Sequence, residues 1–187
     1  MNTQPLHFFG MPVMTCNKTP SQFTGYVDGY ASTYFLDHHG HRIAPGAFQN
    51  TLKDWQEKHG RFPPLCWHHQ CNDVIGVIYN LEEDDHGLWM KAKLLDTHKG
   101  KQAQEEVCKN NQRALSIGFS SYDFEIKDGV QIFHTVNLRE ISLVERGSNA
   151  QSVLYALKDA PSPLLDTRSC QVTHLVKGLI RTMKDDP

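Results

Sequence analysis

The sequence predicts a mainly β domain with peripheral helices, a closed or partly closed barrel of about seven strands. Three observations carry that expectation. Short apolar runs bounded by turn residues recur along the chain, and several keep the two-residue rhythm of a half-buried strand. Only a few segments show helical spacing. The length of 187 residues suits one domain of roughly 100–150 residues with appendages.

The candidate strands are residues 25–31, 65–67, 74–79, 88–95, 115–120, 130–136 and 138–144, a number and spacing that suit a barrel or sandwich. In the fourth, Leu88, Met90, Ala92 and Leu94 share one face and Lys91 and Lys93 the other. Before it, Glu82, Glu83, Asp84, Asp85, His86 and Gly87 form a hairpin connection in which glycine supplies the turn and the charges stay wet. Phe48, Leu52 and Trp55 recur at helical spacing after Pro45-Gly46. A second helix is expected over 102–109, stopping at Asn110-Asn111. Residues 1–158 make the domain. Residues 159–187 begin with linker composition (Asp159, Ala160, Pro161, Ser162, Pro163) and continue as an amphipathic helix with Val172, Leu175, Val176, Leu179, Ile180 and Met183 on one face. That stripe packs on the domain's own core or docks on a partner or second subunit.

Charge and cysteine usage narrow the function classes. Lys plus Arg number 19 against 21 for Asp plus Glu, a formal charge of -2, which gives no reason to expect nucleic acid or an anionic membrane as partner. No run approaches the roughly 20 apolar residues that cross a bilayer, and the start carries no basic segment followed by an apolar one. The expected location is the cytoplasm in which the chain is made. Five cysteines, Cys16, Cys66, Cys71, Cys108 and Cys170, are an odd, scattered set and are expected as reduced thiols.

Chemistry concentrates in three places. A strand over Leu115, Ser116, Ile117, Gly118, Phe119 and Ser120 turns Leu115, Ile117 and Phe119 inward and leaves Ser116, Gly118 and Ser120 on the other face, with Gly118 admitting a close neighbour. A serine hydroxyl is a poor nucleophile until an imidazole takes its proton and a third group fixes that imidazole. His68 and His69 end an apolar strand at Leu65-Cys66-Trp67, where loops leave the scaffold. Glu140 lies inside the apolar strand at 138–144 and needs a partner, because an unpaired carboxylate there is costly; Arg139 or a lysine would serve as well as a histidine. Cys66, His68, His69 and Cys71 are residue types that zinc takes, but they lack a matched second pair. His38, His39 and His41 around Gly40 form a polar turn. A cysteine nucleophile is disfavoured because Cys66 and Cys71 lie too near His69 in sequence. No metal or cofactor is expected.

Taken together, Gly25-Tyr26 with Ala31, Asp37 followed by Pro45-Gly46-Ala47-Phe48, Leu65-Cys66-Trp67-His68-His69, Ile75-Gly76, Gly87-Leu88, Leu115-Ser116-Ile117-Gly118-Phe119, and Glu140-Ile141-Ser142-Leu143-Val144 with Ser148-Asn149-Ala150 resemble the prohead protease family of tailed phages. The resemblance runs from about Gly25 to Ala156. The family usually reads Trp, one residue, His and often an acid. His69 therefore occupies the matching position, and Gln70 stands in place of the acid.

The resemblance implies a serine endopeptidase with His69 as general base, Ser116 as nucleophile and Glu140 as the orienting third member. It also implies a barrel similar to the herpesvirus assemblin protease, a group whose third member is a second histidine. By analogy with a basic loop of that group, Arg146 and Gly147 are the candidate oxyanion donors. The implied substrates are scaffolding protein or a scaffolding segment of the capsid protein, and the chain's own termini, cut inside the immature prohead; a homodimer is implied in the same way. The competing expectation is a noncatalytic assembly or scaffold module that docks through its C-terminal helix. The protease reading predicts that activity falls as His69 is protonated, around its reference pKa of about 6.5.

Overall fold

The computed structural model describes residues 23–109 and 113–159. In chain order the elements are β1 (Phe23–Thr33), β2 (His41–Ile43), α1 (Gln49–His59), β3 (Pro64–Trp67), β4 (Gln70–Glu83), β5 (Gly87–Leu95), α2 (His98–Cys108), β6 (Ala114–Lys127), β7 (Val130–Val144) and β8 (Leu154–Asp159). The fold is mainly β with two helices among the described residues, as the apolar rhythm predicts. The described residues hold eight strands rather than seven. The runs at 130–136 and 138–144 are one strand, because Asn137 is exposed and stays in the ladder opposite Ser120. The other two are β2, whose three residues carry no apolar run, and β8, which coincides with the apolar run at residues 153–157 that the seven expected strands leave out. The linker expected from residue 159 begins as the end of β8. The remainder of the tail, its helical stripe, the stop at Asn110-Asn111, Cys16 and Cys170 lie outside the described residues.

The ladders follow the order β2-β7-β3-β4-β5-β1-β8, with β6 on the remaining edge of β7, and they do not close into a ring. Between β6 and the chain entering β8 there is one isolated bridge, Ala114 with Val153. It is flanked by the Leu115 N–H donating to the Ser152 carbonyl (2.7 Å) and the Leu154 N–H donating to the Arg113 carbonyl (2.8 Å).

The β7 strand organises the site. One edge pairs with β6; the other is shared by β2 at residues 131–133 and β3 at residues 141–143, both parallel to it. Between those two strands, α1 and the segment before it take over the backbone groups of β7 that would otherwise be orphaned. The Val136 N–H donates to the Ala47 carbonyl, the Leu138 N–H to Thr51 Oγ1 (3.0 Å), and Trp55 Nε1–H to the Leu138 carbonyl (2.9 Å). The register then skips one residue: Phe119 faces Leu138 and Gly118 faces Glu140, so Arg139 is the extra residue of a bulge. A bulge resets the pleat. Leu138 and Ile141, three positions apart, both enter the core, and Glu140 is turned away from it.

Candidate active site

Beyond the bulge, β6 and β7 pair face to face as Leu115 with Leu143, Ser116 with Ser142, Ile117 with Ile141 and Gly118 with Glu140. Leu115, Leu143 and Ile141 are buried and Ile117 packs against the same core. Alternation therefore puts Ser116, Gly118, Glu140 and Ser142 on the opposite face. On the third strand, Cys66 is the partner of Ser142, so Cys66, Ser142 and Ser116 form a lateral row across β3, β7 and β6.

The β3–β4 turn folds back over this face. Trp67 pairs with Gln70, leaving His68 and His69 as a two-residue loop in which both have positive φ, 48° and 61°. That is the pattern of a type I′ hairpin turn, which normally takes Asn-Gly. Two bonds to β7 hold it: the His68 N–H donates to the Leu143 carbonyl (3.0 Å), and the His69 N–H to Ser142 Oγ (3.0 Å).

This turn brings His69 onto Glu140, with Nδ1 and Oε1 2.6 Å apart. An ionised carboxylate only accepts, so Nδ1 carries the proton and Nε2 keeps its lone pair. Glu140 is 3% exposed, and its second oxygen accepts from the Ser142 hydroxyl at 2.5 Å. Its partners are thus an imidazole and a hydroxyl, rather than Arg139 or a lysine. Gly118 leaves room for it: a Cβ there would stand 2.3 Å from Glu140 Oε1. The hydrogen bond to Glu140 raises the His69 pKa above the ordinary histidine value, against the lowering effect of partial burial.

Ser116 is half-buried and borders a cleft of about 130 Å³ that takes its other β6 lining from Leu115, Ile117 and Phe119, with Phe35, Ile43 and Asn149 around them; His69, Glu140 and Ser142 do not line it. The ladder brings Ser116 beside Ser142, but no hydrogen bond joins it to His69. Gly147 runs against the strand just before Ser116, where a Cβ would come within 2.6 Å of the Leu115 carbonyl oxygen, and Arg146 is exposed. Burial pushes the Cys66 thiol well above its ordinary value, reinforced by the Glu140 charge. Cys66 thus stays a thiol, while Cys71 is exposed and Cys66, Cys71 and Cys108 are all unbridged. Among the described residues no group of three or more His, Cys, Asp or Glu converges as on a metal ion. The His38–His41 turn is organised by Asp37, whose Oδ1 accepts from the His39 and His41 N–H groups (both 2.8 Å).

Ser142 was missed by the sequence reasoning, which took it for one more residue of an apolar strand. The available signal was its spacing of two from Glu140, which places both side chains on one face of a strand.

A family model described as caudovirus prohead serine protease matches residues 11–161. No curated protein matches the chain in sequence. Among solved structures, the chain is similar in fold to the bacteriophage T4 capsid assembly protease, at 8% identity and a TM-score of 0.52, over 64% of this chain and 80% of that one. The KSHV protease in complex with a hexapeptide phosphonate inhibitor matches at 13% identity and a TM-score of 0.47, over 71% of this chain and 64% of its own. The varicella-zoster virus protease matches at 15% identity and 0.46, over 88% and 78%.

Proposed function

We propose a residue-level mechanism for a chain that belongs to the caudovirus prohead serine protease family and is a serine peptidase of capsid maturation: Ser116 is its nucleophile, His69 its general base and Glu140 the group that orients the base. The observation that carries this is the 2.6 Å contact between His69 Nδ1 and the buried Glu140 carboxylate. It fixes the tautomer with Nε2 available, on the sheet face to which alternation in the β6–β7 ladder also assigns Ser116.

In the acylation step Nε2 takes the Ser116 hydroxyl proton as Oγ attacks the scissile carbonyl. The imidazolium, stabilised by Glu140, then gives that proton to the leaving amine. Water repeats the sequence on the acyl-enzyme. The apo geometry lacks a Ser116–His69 hydrogen bond, and such bonds commonly tighten only when substrate binds. Backbone N–H groups at Arg146 and Gly147 are the proposed oxyanion donors; the close approach of Gly147 to Leu115 supports this, because it runs that peptide beside the nucleophile.

Substrates in general are capsid and scaffold components. The specific proposal is cleavage of a scaffolding protein or a scaffolding segment of the capsid protein, together with the chain's own termini, by a homodimer made in the host cytoplasm and acting inside the prohead. A partly closed barrel carries the site, a view supported by the Ala114–Val153 bridge. Residues 1–158 form the catalytic domain of this proposal and 159–187 its tail. Co-expression with the neighbouring capsid genes, read by intact mass, tests it. Wild type should yield shortened capsid components and Ser116→Ala full-length ones; processing that survives Ser116→Ala would refute the assignment.

A further inference from the structure

We infer that Ser142 is a positioning residue of this peptidase, one whose hydroxyl holds the Glu140 carboxylate and the His69 turn in a single geometry. The inference rests on the assignment of Ser116, His69 and Glu140 made above and extends it to a residue that touches no substrate.

Both hydrogen-bonding roles of the Ser142 hydroxyl are filled within the site. The Ser142 side chain is fully buried, at 0% exposure, where a hydroxyl is unfavourable unless both its roles are used. Both are used, and each faces a different part of the site: the O–H donates to Glu140 Oε2, and the oxygen accepts the His69 N–H. One atom thereby ties the carboxylate to the backbone of the residue it orients. In the ladder Ser142 lies between Cys66 on β3 and Ser116 on β6, so the tie is anchored directly beside the nucleophile.

The strain of the turn shows why a tie is needed. His68 and His69 both hold positive φ, a conformation that costs a residue with a Cβ and persists only where neighbours over-determine it. Of the two bonds that hold the turn to β7, the one from His68 goes to a backbone carbonyl and survives any side-chain change. The one from His69, the residue whose ring must be aimed, depends on a side chain.

Loss of the Ser142 hydroxyl would have two coupled effects. Glu140 Oε2 would be buried without a donor, so the carboxylate would no longer be held in the one orientation that places Oε1 on His69 Nδ1. The His69 backbone would also be released from β7. Both changes lower the fraction of molecules in which Nε2 can accept from Ser116, and neither alters the cleft.

The test is labelling by an alkyl fluorophosphonate, with rate followed against probe concentration under reducing conditions. Four proteins are compared, wild type, Ser142→Ala, Ser142→Cys and Ser116→Ala, each checked for native near-UV circular dichroism. Cysteine has nearly the shape of serine but is a weak donor, so it separates hydrogen bonding from packing, and it replaces alanine as the probe should Ser142→Ala fail to fold. The expected result is a limiting rate reduced about 10- to 100-fold in both Ser142 variants, the scale of one hydrogen bond to a charged group, with half-saturation unchanged within about twofold. A Ser142→Cys protein that labels at the wild-type rate would overturn the inference. Labelling of Ser116→Ala at the wild-type rate would instead overturn the assignment on which it rests.

Discussion

Two hairpin turns in this molecule share a geometry and differ in everything else. Asp128-Gly129 joins β6 to β7 between Lys127 and Val130, with φ of 52° and 78°; His68-His69 joins β3 to β4 between Trp67 and Gln70, with φ of 48° and 61°. The first uses the residues that such a turn prefers, Asp followed by Gly, and a Cβ added at Gly129 would meet nothing within 4 Å. The second places two imidazoles where Asn-Gly would be relaxed, at about 1–2 kcal/mol per residue. The difference teaches where to look for chemistry. A turn obeying local preference is only a connection, whereas one violating it is held from outside, here by Leu143 and Ser142, and the ring it carries rests on Glu140.

Substitutions can break that comparison in a graded way. The largest separation is expected in catalysis. His69→Ala should lower the rate of capsid-component processing on the order of 10⁶-fold, the scale seen when a serine peptidase loses its base, whereas Asp128→Ala should leave it unchanged; timed gels of co-expressed substrate compare the two. Glu140→Gln should reduce turnover about 10⁴-fold by allowing the wrong tautomer, measurable in the same assay.

Stability should respond less. Replacing His68-His69 by Asn-Gly should eliminate activity by removing the proposed base, while in urea titrations the relief of turn strain is offset by the loss of the partner of buried Glu140, so unfolding free energy should not rise by the full strain of about 1–2 kcal/mol per residue. At the other turn, Gly129→Ala forces a Cβ onto positive φ and should lower stability by about 1 kcal/mol with processing intact.

A change of pH sharpens the same contrast. Only neutral imidazole accepts the serine proton, and the His69 pKa is raised chiefly by its hydrogen bond to Glu140. The acid limb of kcat/KM should therefore lie above the reference value of about 6.5, and Glu140→Gln should move it down. Stability has the opposite trend. The folded pKa exceeds the unfolded one, so the His69–Glu140 pair contributes fully below about pH 6.5, and that contribution is lost as pH rises through the folded value.

Much of this architecture is legible in the residues alone. Alternation in Leu88, Met90, Ala92 and Leu94 announces β5, because one face of that strand is buried and the other carries Lys91 and Lys93. Asp84 and Gly87 announce the β4–β5 hairpin, where Asp84 Oδ1 accepts from the His86 and Gly87 N–H groups. The short strand β2 is not legible, because its pairing is supplied by β7 rather than by its own composition, whereas β8 coincides with an apolar run at residues 153–157 and is open to sequence reasoning. The site is legible as residue types but not as geometry. The proposed Ser116, His69 and Glu140 can be selected from sequence by resemblance, yet the features that bring His69 onto Glu140 are tertiary: a bulge at Arg139 that turns Glu140 off the core face, a glycine at 118 that admits its carboxylate, and a strained turn tethered by Ser142. Local preference predicts none of these, because each is a departure from it.

Activation of the Ser116 hydroxyl by the His69 ring is the core of the proposed mechanism, and covalent capture reports on it. The protein would be treated with a fluorophosphonate, digested and mapped by mass, for wild type and for His69→Ala. A single adduct is expected on Ser116, formed at least about 10³-fold more slowly without the imidazole; an adduct on another residue, or an equal rate in His69→Ala, would refute the mechanism.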